Sequence, residues 1–98
     1  MVTIYLVETK EFYTRYDGFE FQLEDLGHLP MLFTSLQKGL LQMDSCRKVH
    51  TEIFNETIVK SYRADEITDQ DCLARFETRH NITGSRTVVS LYKKRANW

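Results

Sequence analysis

The feature that most constrains this chain is a predicted β-hairpin, Tyr13–Leu23, with Asp17-Gly18 at its centre. A two-residue type I′ turn requires positive φ at both central positions, and Asp-Gly adopts such a turn at low steric cost. Tyr16 then faces Phe19 across the turn, and residues beyond it alternate between the two faces. One face carries Phe19, Phe21 and Leu23, and the other carries Glu20, Gln22 and Glu24. The pattern predicts a hairpin with a buried aromatic side and an acidic, solvent-facing side.

Three further segments have the composition of β-strands. Val2–Thr9 is apolar on both faces, which indicates a central strand, and Lys10-Glu11 is expected to turn into the hairpin. The region Val49–Arg63 is rich in β-branched and aromatic residues. Because it is long for one strand, a hairpin or bulge is expected at Asn55-Glu56. Arg86–Lys94 alternates and is predicted to be the last strand.

Two segments predict helices. Proline suits the first helical turn, so Pro30 is expected to open a helix that ends near Asp44-Ser45. Thr68 is a good N-cap for a second helix, which Asn81 or Gly84 would end. Their apolar stripes are Leu32, Phe33, Leu36, Leu40 and Met43 for the first, and Leu73, Phe76 and His80 for the second. Gly39, inside the first stripe, indicates close packing against the sheet or a local weakness.

Together these elements predict a single α+β domain over residues 1–98. The expected architecture is a mostly antiparallel sheet of four to six strands with two helices packed on one side. A chain of 98 residues is one domain by size, and its 42% hydrophobic residues suffice for one modest core. The expected order of elements is β-β-β-α-β(β)-α-β.

Charge is unevenly distributed along the chain. The formal net charge is −1, which argues against a general nucleic-acid binder with a strong basic excess. Residues 1–30 hold six acids and two bases, whereas the rest of the chain has a small basic excess. This imbalance has two interpretations: ordinary solvated surface charge, or an acidic face on the N-terminal hairpin that meets a basic partner.

No motif in the chain indicates catalysis. It contains no Gly-x-Ser-x-Gly, no P-loop and no Gly-x-Gly-x-x-Gly. Cys46 and His50 form a single short spacing, whereas zinc sites have paired short spacings, and His50 is expected on a strand. Cys72 is interpreted as a small buried hydrophobic residue. The expectation is a non-enzymatic protein with no cofactor, no metal and no small-molecule substrate. A small enzyme that uses Cys72 or a histidine is a further hypothesis, besides the two binding functions that follow.

The N-terminal residues indicate a cellular location. Val2–Val7 resembles a strand, with no basic n-region and no small-residue cleavage site, so no signal peptide is expected. No apolar run approaches the length of a transmembrane helix. Two cysteines do not make a disulfide framework. A cytoplasmic protein that does not bind a membrane is expected.

Partner binding is the remaining function class. Aromatic residues beside acids are good interface anchors, and a row of carboxylates can partly imitate the spacing of backbone phosphates. Such carboxylates would occupy a Lys/Arg groove that normally binds DNA. The predicted partner-binding residues are Glu8, Asp17, Glu20, Glu24, Asp25, Tyr5 and Tyr16.

A small, stand-alone α+β domain with this acidic hairpin and no catalytic constellation resembles phage-encoded inhibitors, in particular the anti-CRISPR proteins of the type I-F group. The resemblance lies in size and character over the whole chain. It implies a stoichiometric, non-enzymatic inhibitor in the bacterial host cytoplasm. The implied partner is a basic DNA-binding surface of a CRISPR surveillance (Cascade) complex, whose target recognition the protein would block as a local DNA mimic.

The C-terminus supports an alternative hypothesis. Basic residues beside an aromatic ring suit phosphate contact combined with base stacking. The alternative is therefore a small phage or bacterial regulatory protein that binds nucleic acid. Its predicted contact residues are Lys93, Lys94, Arg95 and Trp98.

Overall fold

A computed structural model describes residues 2–14, 20–22, 30–62, 64–68 and 70–96 of the chain. The elements, in chain order, are β1 (Val2–Thr14), β2 (Glu20–Gln22), β3 (Met31–Phe33), α1 (Leu36–Lys48), a π-helical segment (Val49–Ile53), β4 (Glu56–Tyr62), a 3₁₀ turn (Ala64–Glu66), β5 (Cys72–His80) and β6 (Arg86–Ala96). The expected α+β class is confirmed. The described residues contain one α-helix, however, and not the two that were predicted.

The sheet is antiparallel throughout its described pairs, in the order β2-β1-β6-β5-β4. β3 pairs with the same edge of β1 as β2, but nearer the N-terminus of β1. β1 is therefore a central strand, as predicted. It is also longer than predicted, because Lys10 and Glu11 continue the ladder opposite Val88 and Thr87 instead of turning.

The N-terminal hairpin forms with a register that differs from the prediction by one residue. Thr14 lies opposite Glu20, whereas a two-residue turn at Asp17-Gly18 would place Thr14 opposite Phe21. The long ladder between β1 and β6 orients β1, and the three-residue β2 pairs with its end. The turn itself, and the predicted burial of the Phe21 side chain, lie outside the described residues.

The first helix begins later than Pro30 and ends later than Asp44-Ser45. Residues 31–33 pair with β1 as a strand, so the helix begins after Ser35, whose hydroxyl accepts from the Lys38 N–H at 3.5 Å. Serine is a better N-cap than the residues around Pro30, because its oxygen satisfies a free N–H of the first turn.

The helix continues as a π-helical segment where a strand was predicted. The Phe54 N–H donates to the Val49 carbonyl at 3.0 Å, a five-residue step. Asn55 then adopts a φ of 55°, a left-handed conformation that asparagine tolerates, and β4 begins after it. At Asn55-Glu56, where a hairpin or bulge was expected, the structure has a helix-to-strand junction. A bulge occurs further on, between Ile58 and Lys60.

The predicted second helix is a strand. β5 lies between β4 and β6, and its residues alternate between core and solvent: Phe76 and Thr78 are fully buried, whereas Leu73 is exposed. The helical spacing of Leu73, Phe76 and His80 was misleading. Residues 74 to 79 also alternate, and this alternation suits a central strand of the sheet. β6 confirms the predicted last strand and extends it to Ala96.

The core lies between α1 and one face of the sheet. Its buried members are Val7, Met43, Phe76, Val89 and Leu91. The helix buries the side that carries Gly39 and Met43, and a Cβ on Gly39 would lie 2.9 Å from the Leu91 Cδ1. Close packing at Gly39 is therefore confirmed. The predicted apolar stripe is right at Met43 and wrong elsewhere on the helix, since Leu36 and Leu40 are exposed and Leu32 lies on β3.

Candidate nucleic-acid interface

The face of the sheet that α1 does not cover is called the open face below. Tyr5 and Val7 point towards the helix, and strand alternation places their neighbours in β1 on the other side. Cross-strand pairing extends this side over four strands. Its charged and aromatic residues are Glu8, Lys10, Phe12, Lys60, Tyr62, Arg75, Glu77, Arg79, Arg86, Tyr92 and Lys94.

Each aromatic ring of the open face has a cation beside it. The Arg86 guanidinium carbon lies 4.2 Å from the centre of the Phe12 ring. The Lys60 Nζ lies 4.4 Å from the centre of the Tyr62 ring, and the Lys94 Nζ lies 5.4 Å from that of Tyr92. Cations are attracted to the negative faces of these rings, so the arrangement holds charge and ring together on one surface.

Arg75 lies in the middle of this face and is hydrogen-bonded to neutral groups. Its Nε donates to the Ser90 hydroxyl at 2.9 Å, and one terminal nitrogen donates to the Tyr92 hydroxyl at 3.1 Å. Among the residues that the structure describes, no carboxylate forms an ion pair with it. Burial lowers the pKa of Arg75, but the neighbouring Cys72 and Tyr92 groups raise it overall, so the guanidinium remains charged.

A cleft of about 230 Å³ opens above Arg75. Lys10 and Arg86 line it together with Arg75, so that three cations converge on one hollow. The Ser90 and Tyr92 side chains also line it, with the rings of Phe12 and Tyr62. Three cations with hydroxyl groups and aromatic rings form a chemical environment suited to a phosphate that is attached to a planar base.

Acidic residues reduce the positive charge of the face without cancelling it. Glu77 pairs with Arg86 at 2.7 Å, and Glu8 pairs with Lys10 at 3.4 Å. Two carboxylates from the rim reach the outer lysines: Glu66 to Lys60 at 3.5 Å and Asp71 to Lys94 at 3.1 Å. Against these four acids stand six described cations, since Arg75 and Arg79 also lie on the face. Among the side chains that the structure describes, cations therefore outnumber acids on the open face, although the whole chain carries −1.

The structure separates the predicted partner-binding residues that it describes. Glu8 lies on the open face, whereas Tyr5 lies on the opposite face beneath α1, where its Cβ would be 3.6 Å from a Cβ on Gly39. Asp17, Tyr16, Glu24 and Asp25 lie outside the described residues, and only the backbone of Glu20 is described. The acidic hairpin surface therefore stays a prediction.

The predicted nucleic-acid-binding tail is divided in a similar way. Lys94 lies on the open face, whereas Lys93 and Arg95 are exposed on the opposite side of β6, and Trp98 lies outside the described residues. Sequence reasoning missed the basic residues that join Lys94 on the open face. The signal that could have found them is the alternation Arg75-Phe76-Glu77-Thr78-Arg79, in which every charged residue takes the same side of a strand.

A second polar group lies on the covered face and connects three elements. The His50 Nδ1 lies 2.8 Å from the Glu56 Oε2, and the Thr78 hydroxyl donates to the other oxygen of Glu56. All three residues are buried. His50 thus belongs to the π-helical segment, not to a strand as predicted, and its ring joins the segment to β4 and β5.

Of the candidate metal and nucleophile residues, Cys72 is buried, and its thiol donates to the Ala74 carbonyl at 3.4 Å. No group of three potential metal ligands occurs within the described ranges. The His80 Nδ1 accepts from the Ile82 and Thr83 N–H groups at 3.2 and 3.1 Å, so that nitrogen is occupied. Burial raises the pKa of the Cys46 thiol, and a hydrogen bond from Gln42 lowers it by less. A raised pKa makes Cys46 a weak nucleophile.

The described helices are all too short or too polar to cross a membrane. Comparison of the chain with protein-family models, with curated proteins and with solved structures found no match.

Proposed function

We propose that this protein binds single-stranded nucleic acid through the open face of its sheet and carries out no catalysis. The single observation that carries the proposal is the convergence of Lys10, Arg75 and Arg86 on one cleft that is lined by aromatic rings. Lys10 comes from β1, whereas Arg75 and Arg86 come from β5 and β6 near the other end of the chain, and strand pairing brings the three together.

Two physical terms would act together on this face. Cations neutralise backbone phosphates and release their counterions, which makes binding sensitive to salt. Aromatic rings and guanidinium planes stack with unpaired bases, at about 1–3 kcal/mol per base. A duplex hides the faces of its bases, so a sheet carrying the Phe12 and Tyr62 rings favours a single strand.

Binding is tested by fluorescence anisotropy with a labelled twelve-nucleotide oligo(dT), its RNA counterpart and a duplex of the same length. Three to four phosphate contacts predict a slope of log affinity against log salt of about −2 to −3, because each contact contributes about −0.7 on a single strand. The single strands should bind more tightly than the duplex. Absence of saturable binding at low salt would refute the proposal.

A matched pair of double variants locates the interface. Lys10→Glu with Lys60→Glu changes the open face, where both side chains are about half exposed. Lys38→Glu with Lys48→Glu makes the same change in net charge on exposed positions of α1. The first pair should weaken binding at least tenfold and the second by less than threefold. Equal losses would show that the net charge, and not the open face, controls binding.

A second candidate function is the phage-encoded, anti-CRISPR-like inhibitor, favoured by the excess of four negative charges in residues 1–30. Here the protein would bind a basic DNA-binding surface of a CRISPR surveillance complex. Its test is affinity capture from a bacterial lysate that contains such a complex, with the triple variant Glu20→Lys, Glu24→Lys, Asp25→Lys as comparison. Loss of capture by this variant, with oligonucleotide binding absent from the wild type, would favour the inhibitor over nucleic-acid binding.

A further inference from the structure

We propose that Arg75 anchors a phosphate-binding subsite in the cleft of the open face. The subsite takes a phosphate group that carries a planar base, which is the chemistry shared by a free mononucleotide and by one unit of a nucleic-acid strand. Its role in the cell rests on the function proposed above, but its chemistry can be tested separately.

The first argument is the way in which Arg75 is held. Its guanidinium has five N–H donors, of which two point to the Ser90 and Tyr92 hydroxyls. Both hydroxyl-bearing residues are buried, at 4% and 9% exposed, so their positions are fixed by the sheet. The guanidinium is thereby oriented before any ligand arrives, and binding costs little further side-chain entropy.

The second argument is the charge balance around the three cations of the cleft. Lys10 and Arg86 each have a carboxylate partner, Glu8 and Glu77 respectively. Arg75, in contrast, has only neutral partners among the described residues. Among the described residues Arg75 thus has no acidic partner, and an incoming anion would supply one. The remaining N–H groups can meet two oxygens of one phosphate, which is the bidentate geometry that arginine favours.

The third argument is the composition of the cleft wall. The rings of Phe12 and Tyr62 line the same hollow as the cations. A small inorganic anion would use only the cations, whereas a nucleotide would also stack its base on a ring. The subsite should therefore bind a mononucleotide more tightly than inorganic phosphate.

The subsite is tested by following the arginine Nε–H signals in ¹H–¹⁵N spectra of the full chain while inorganic phosphate, uridine monophosphate or uridine is added. The expected result is a saturable shift of the Arg75 signal with uridine monophosphate. A weaker shift is expected with inorganic phosphate, and no shift with uridine. No saturable shift with either phosphate compound, or an equal response to uridine, would overturn the subsite.

Two substitutions distinguish the anchoring role of Arg75 from a general effect of positive charge. Arg75→Gln should weaken uridine monophosphate binding at least tenfold. Lys48→Gln is the control, because it removes the same charge from an exposed position of α1, on the side of the sheet away from the cleft. It should change the affinity by less than twofold. Equal effects of the two substitutions would overturn the anchoring role of Arg75.

A third variant guards against a folding defect in Arg75→Gln. Tyr92→Phe keeps the ring and removes only the hydroxyl that holds the guanidinium. It should weaken binding at least threefold with an unchanged circular dichroism spectrum. An unchanged affinity would refute the orienting role.

The outcomes also distinguish the subsite from the proposed function. Binding of uridine monophosphate that depends on Arg75, with no binding of oligonucleotides, would support the subsite and refute the nucleic-acid interface. Oligonucleotide binding that Arg75→Gln leaves unchanged would support the nucleic-acid interface and refute the subsite.

Discussion

Replacing Glu56 by alanine should destabilise the fold more than almost any other polar substitution in the described residues. The Glu56 carboxylate accepts from Thr78 on β5 and lies 2.8 Å from the His50 Nδ1 on the π-helical segment. Its side chain is 8% exposed and that of His50 is 7% exposed. The carboxylate therefore joins the end of the helix to two strands in a place that water hardly reaches.

The expected magnitude follows from the groups that Glu56→Ala leaves behind. The Thr78 hydroxyl and the His50 nitrogen would both lose their partner, and each unsatisfied buried group costs about 1–3 kcal/mol. Because the groups can partly relax, a total loss of about 2–4 kcal/mol is expected. In a domain of this size, 1 kcal/mol corresponds to a shift of roughly 4–8 °C in the melting temperature. The melting temperature should therefore fall by roughly 8–32 °C.

The assay is urea unfolding followed by far-ultraviolet circular dichroism. Glu56→Gln should lose less stability than Glu56→Ala, because the amide oxygen can still accept from Thr78. Glu52→Ala is the control, since Glu52 belongs to the same π-helical segment and is exposed. The midpoint should change while the slope with urea stays the same. A loss below about 1 kcal/mol for Glu56→Ala, or a loss equal to that of Glu52→Ala, would refute the argument, because one unsatisfied buried group alone costs at least that much.

Three other predictions concern the helix and its contacts. Gly39→Val should lower the melting temperature, because its Cβ would lie 2.9 Å from the Leu91 Cδ1 and overpacking costs about 1–3 kcal/mol; an unchanged temperature would contradict the packing. Arg47→Met should leave the stability in urea unchanged or higher, since it keeps an aliphatic chain near the Phe76 ring and removes a buried Nε that has no hydrogen-bond partner. Cys46 should react with iodoacetamide at pH 8 more slowly in the folded protein than in urea, because burial raises the pKa of its thiol. For the same reason, the free energy of unfolding should fall as the pH rises from the ordinary thiol pKa towards the raised one. Equal rates in the folded and urea-unfolded protein would contradict the last of these.

The strands that alternate most clearly were predictable from sequence. β1 and β6 carry β-branched and aromatic residues at successive positions, and both formed where their patterns indicated. The one large error before α1 came from Pro30, which is compatible with a helix start but equally with the beginning of a strand. Ser35 was the stronger start signal, because its hydroxyl reaches an N–H inside the helix.

The error at β5 had a different cause. Leu73, Phe76 and His80 have helical spacing, and Thr68 with its acidic neighbours resembles an N-cap. The same segment also alternates, with Ala74, Phe76 and Thr78 on one side. Local sequence does not decide between these patterns. The segment is a strand because it pairs with β4 on one side and β6 on the other, and in this position Phe76 is completely buried.

The alternation of β5 is visible in the sequence, but the assembly of the open face from several strands is not, for a reason that applies to two-layer folds in general. Net charge averages over both faces, whereas a strand sends alternate residues to opposite faces. In β5 this alternation places Arg75 and Arg79 outside and Phe76 inside, and the neighbouring strands add Lys10 and Arg86 to the same side. These residues come from strands that are adjacent in space but, for β1 and β6, separated by most of the chain. A chain with a net charge of −1 can therefore present a positive cleft, and the relevant quantity for its partner is the charge of one face.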